Sequence, residues 1–156
     1  MKKQKIISTA LIVLNLTLIW GNSLLPGAAS GAMSGGVMQF VMELLHIPEE
    51  HADMMHLLIR KAAHFTEFAC LGALLCWRFR LAGDQGWRLA ALPVLFGMAA
   101  ALIDETIQMF SPDRGPGLVD VWIDAAGAAA GMTAVLCGYH LFKRIKQKTY
   151  ILEETT

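Results

Sequence analysis

Two shortages set the first bounds on this chain. It carries no excess of charge of either sign, 13 Lys and Arg against 13 Asp and Glu. It therefore lacks the basic surplus that an electrostatic nucleic-acid binder needs, and no nucleic-acid partner is expected. Cysteine is scarce, and Cys70, Cys76 and Cys137 all fall inside apolar runs, where a thiol behaves as a small buried hydrophobe. That leaves no disulfide framework and no zinc knuckle. A nucleophile elbow, a phosphate-binding loop and an established metal motif are missing as well.

What the chain has in abundance is apolar surface. Of its 156 residues 55% are hydrophobic, and the mean hydropathy is +0.48, well above an ordinary soluble domain. The expected fold class is all-α: a polytopic membrane protein of four transmembrane helices, about 6–25, 62–77, 89–110 and 119–142, in one domain. The first run, behind Lys2, Lys3 and Lys5, is long enough to cross a bilayer. A basic start followed by an apolar core and PGAASGA also fits a signal peptide cleaved near Ala29. Between the first two spans lies an expected outer loop, 26–60. Its Gly-, Ala- and Ser-rich part, 26–36, reads as a loop or re-entrant stretch. Val37–Leu45 reads as a short helix, either interfacial or packed on the bundle.

Pro48, Glu49 and Glu50 make a helix-start signature, with acids at the positive dipole end. The helix they open is expected to reach Trp77. His46, His51 and His56 recur every five residues, which turns each about 140° from the last on a helix, so they share no face for a metal. The sequence Ser-Pro-Asp-Arg-Gly-Pro-Gly, 111–117, predicts a tight turn before the last span. A tail from Lys143 to Thr156 is expected to fray in part.

Charge is sorted by side. Ten of the 13 basic residues lie at the N-terminus, at Arg78, Arg80 and Arg88, or after Phe142; Arg60, Lys61 and Arg114 are the other three. The basic side is expected to be cytoplasmic, with both termini on it. Ten of the 13 acids, Asp113 among them, fall at the opposite, outer end, which should attract cations.

Three helices carry polar residues to that outer end. Arg60, Lys61, His64 and Glu67 follow helical spacings and form one face of the second. Asp104 and Glu105 lie one turn from Gln108 on the third. Asp120 and Asp124 share a face of the fourth that continues into Gly127 and Gly131, small residues suited to close packing within the chain or in a dimer. The plainer reading of these charges is fastening, with Arg60, Lys61 and Arg114 neutralising Glu67, Asp104 and Asp120. Against it, the carboxylates outnumber the cations, and ionisable groups inside spans are functional candidates by default. Surplus acids make a divalent cation a candidate cofactor, expected on Asp104 and Asp120.

The segments RKAAHFTEFACLG (60–72) and DETIQMFSPDRGPGLVDVWIDAAGAAAG (104–131) resemble the two signature blocks of the VanZ family of bacterial membrane proteins. GNSLLPGAASGAMSGG resembles that family's outer loop, and the likeness runs from about residue 15 to 140. Asp124 stands in a stretch where the family commonly has Asn. The resemblance implies a multi-pass protein of the bacterial cell membrane, and its founding member is associated with low-level resistance to the glycopeptide teicoplanin.

Three functions are expected from these residues. The first is a site for a polar lipid headgroup or a lipid-linked cell-wall ligand, held by Arg60, Lys61, Gln108, Arg114, Asp120 and Asp124. An enzymatic version has His64 as acid or base with Glu67, Asp104 and Glu105 beside it. The second is a non-enzymatic protein that shields or moves a ligand, as a homo-oligomer if the small-residue face is used between copies. The third is a structural partner of another membrane protein.

Overall fold

Five long helices and one short turn make up the computed structural model, which describes residues 2–112, 114–115 and 117–154; the side chains of 28, 33, 34 and 148–154 are outside that description. In chain order they are α1 (Lys2–Ser23), α2 (Gly27–Leu45), a 3₁₀ turn (Glu49–His51), α3 (Ala52–Ala82), α4 (Gly86–Gln108) and α5 (Leu118–Glu154). No strand occurs among the described residues. Three helices are long and apolar enough to cross a membrane: α1, α4 and Leu118–Gln147 of α5. The second expected span, 62–77, is the apolar part of α3, whose first half carries charge.

Local chemistry explains the breaks. After α3, Gly83 takes the left-handed conformation (φ 105°), and its amide and that of Asp84 bond back to the Phe79 and Arg80 carbonyls. That closure favours a residue without a Cβ penalty. The same device ends α2 at His46, whose neighbour Ile47 donates to the Met42 carbonyl. Pro48 then forbids continuation.

One expectation is corrected here. Residues 27–36 are helix rather than loop, so the short helix expected at Val37–Leu45 is the second half of a 19-residue α2. Pro26 caps that helix, and Gly31 holds it against α3, its carbonyl 3.4 Å from His56 Nε2. The tail is helical as far as Glu154.

Helix α3 is central, packing against α1, α2, α4 and α5. Phe68, Leu71 and Leu75 line one of its stripes and meet Ile19 of α1, Ala100 and Ala101 of α4, and Val121 of α5. A Cβ on Gly127 or Gly131 would fall on the carbonyl oxygens of Phe65 and Ala69, and one on Gly72 on that of Ala128. The small-residue face of α5 is therefore spent on α3 within the chain. Lipid tails are as apolar as leucine, so close approach and polar contacts hold such helices together more than apolar transfer does.

Candidate functional site

The pattern of burial is inverted relative to a water-soluble protein. Leu11 and Leu14 on α1, and Leu95, Phe96 and Leu102 on α4, face outward, while Asp104, Glu105, Gln108, Arg114 and Asp124 are buried. The buried polar groups gather at the end of the bundle that holds the α4–α5 turn.

That turn is tied down from three sides. Ser111 Oγ donates to the Ser23 carbonyl at 2.7 Å, and the Gly27 amide donates to the Pro112 carbonyl at 3.0 Å. The Gly117 amide donates to Glu105 Oε2 at 2.7 Å. Asp113, counted among the outer acids, lies outside the described residues. Arg114, 9% exposed, sends Nη2 to the Asn22 carbonyl at 3.1 Å. Its Nε and Nη1 are buried and have no hydrogen-bond partner. Burial and the nearby Arg60 guanidinium hold Arg114 below the ordinary arginine value, while Asp104, Glu105 and Glu67 pull it back up.

Gln108 organises α4, donating from Nε2 to Asp104 Oδ2 at 2.8 Å and to Glu105 Oε1 at 3.2 Å. His64 Nδ1 lies 3.9 Å from Glu67 Oε2 and 4.0 Å from Asp104 Oδ2, too far for a hydrogen bond. Lys61 and Asp120 form an ion pair, each about one third exposed. Asp124 is 1% exposed and neither of its oxygens has a partner.

All ten expected site residues thus come to one end of the molecule, but not in the fastening pattern. Of the three cations, Lys61 alone forms an ion pair with a carboxylate among the described residues. Asp120 belongs to Lys61, and the acid that faces Asp104 and His64 is Asp124. The three earlier histidines are dispersed: His46 caps α2, His51 lies beside Glu50, and His56 meets Gly31.

Two cavities meet here. A polar one of about 40 Å³ is lined by Lys61, Glu105, Gln108, Asp120 and Asp124 together with Arg60 and His64. The other is an apolar groove of about 900 Å³ between α1, α2 and α3, bordered by Leu18, Gly21, Leu25, Val37, Ile59 and Ala63 among others. Arg60 and His64 line both. Sequence reasoning missed the contribution of α1: Asn15 and Asn22 border the groove, and Asn15 Oδ1 is buried without a partner. Amides inside an apolar span were the available signal.

Compared with known proteins, residues 8–143 match the family model described as VanZ/LLP1. No curated protein and no solved structure matches the chain.

Proposed function

The chain belongs to the VanZ/LLP1 family, and we propose that it binds a lipid with an anionic headgroup at the outer face of the bacterial cell membrane. The observation that carries this reading is the groove. An apolar trough of about 900 Å³ between helices of a membrane protein is a place for acyl or polyprenyl chain. Arg60 lines it, and Asn22 on its rim fixes Arg114, whose two unpartnered nitrogens, Nε and Nη1, suit a phosphate or carboxylate oxygen. The lipid class we infer is a lipid-linked cell-wall precursor, in keeping with the teicoplanin association that the family resemblance implies.

We infer four spans, with α3 completing the set and both termini cytoplasmic, and helix lengths support this topology. His64 lies 14 residues from Arg78, Asp104 16 from Arg88, and Asp124 19 from Lys143. At about 1.5 Å per residue these are about 21, 24 and 29 Å along three helices. Set against a hydrocarbon core of about 30 Å, the polar cluster lies near its outer edge. Trp87 at the basic end and Trp122 at the other are exposed, as interface aromatics are.

Native mass spectrometry of protein released from bacterial membranes tests the reading. A co-purifying anionic lipid is expected, reduced at least tenfold in Arg114→Gln and in Arg60→Gln. Loss of neither, or a protein that emerges free of lipid, contradicts it.

A further inference from the structure

We propose that His64, Asp104 and Asp124 bind one divalent first-row metal ion, zinc or manganese. One possible ligand atom from each lies within 4.8 Å of the other two. Side-chain rotation closes such a spacing onto an ion with bonds of about 2.0–2.2 Å.

The second observation is what the buried oxygens lack. Asp104 and Asp124 are 0% and 1% exposed, yet Asp104 Oδ1, both Asp124 oxygens and His64 Nδ1 have no hydrogen-bond partner. Buried carboxylates are ordinarily paired, hydrogen-bonded or metal-bound. Lys61 is engaged by Asp120, and Arg114 bonds through Nη2 to the Asn22 carbonyl and makes no hydrogen bond or ion pair with either aspartate among the described residues.

Charge points the same way. With every carboxyl ionised, Glu67, Asp104, Glu105, Asp120 and Asp124 bring five negative charges, and Arg60, Lys61 and Arg114 three positive ones. The difference, with His64 neutral as a ligand must be, is two, which a single divalent cation cancels.

Donor type selects the metal. An imidazole favours zinc, iron or copper over magnesium and calcium, and two carboxylates favour harder ions than thiolates do. Gln108 holds Asp104 through its other oxygen, the outer-shell contact that orients a ligating carboxylate. Three protein ligands leave a position open, and the polar cavity of about 40 Å³ that His64 and Asp124 line has room for a water there.

The test is metal content of full-length protein purified without chelator, together with thermal shifts of chelator-stripped protein on adding Zn²⁺, Mn²⁺, Mg²⁺ or Ca²⁺. One zinc or manganese per chain is expected, with stabilisation by those ions and not by Mg²⁺ or Ca²⁺. Asp124→Asn loses the ion while remaining monodisperse, Gln108→Ala binds it about 10–100-fold more weakly, and Asp53→Asn keeps it. Wild-type protein that holds no such metal and shows no shift overturns the inference, as does Asp124→Asn retaining a full complement. Metal-free protein that still carries lipid would leave the lipid reading standing, and metal-loaded protein without lipid would do the reverse.

Discussion

Asp124 sets the energetics of the site at the scale of single residues. A fully buried carboxylate without a partner is destabilising unless something neutralises it. Asp124→Asn should therefore change sign with conditions: thermal stability rises relative to wild type in chelator and falls below it in saturating Zn²⁺. A differential scanning measurement under the two conditions checks this, and a variant less stable in both contradicts it. The Lys61–Asp120 pair is a different case, open to water on one side and contributing at most about 1 kcal/mol. Residue types and helical spacing made the cluster legible beforehand, because ionisable groups in apolar runs have few roles. Which acid faces which cation was not legible. Asp120 and Asp124 are one turn apart on the same face, and only the rotation of α5 against α3 decides that Lys61 takes the first and His64 faces the second.

Among the elements, the packing of α5 on α3 is what brings Asp124 and His64 together. Gly131 and Gly127 let the backbones approach until a Cβ would overlap a carbonyl of α3. Gly131→Val should force the helices apart and lower stability by about 1–3 kcal/mol, weakening the site with it. Gly138→Ala, seven residues further along the same helix where an added Cβ meets nothing within 4 Å, should be neutral or stabilising by up to about 1 kcal/mol. Thermal unfolding in one detergent compares the two; equal effects would contradict the close-packing account. The spacing of Gly127 and Gly131 announced a packing face but not its partner. Helix α2 was less legible still. Gly and Ser disfavour helix in water, Gly through backbone entropy and exposure and Ser by competing for backbone hydrogen bonds, yet near lipid the chain must satisfy its backbone groups internally. The closure at His46 and the contact of Gly31 with His56 then complete the helix.

At the scale of the whole molecule, apolar side chains face outward and charges inward, and the groove between α1, α2 and α3 is the path to those charges for the lipid we propose. Apolar runs and charge sorting anticipated the first part. The groove was not legible, because it depends on how α1 and α2 splay from α3, and no periodicity records that. The most direct test is a lipid with a photoactivatable group at mid-chain, added to intact protoplasts so that it enters the outer leaflet. The crosslinked residues are then mapped by peptide mass spectrometry. Crosslinks are expected at Leu18, Ala63 and Cys70 in the groove, and they should disappear in Gly21→Phe, which fills open space at that wall. Crosslinks confined to outward residues such as Leu95 and Leu102, unchanged by Gly21→Phe, would contradict the account.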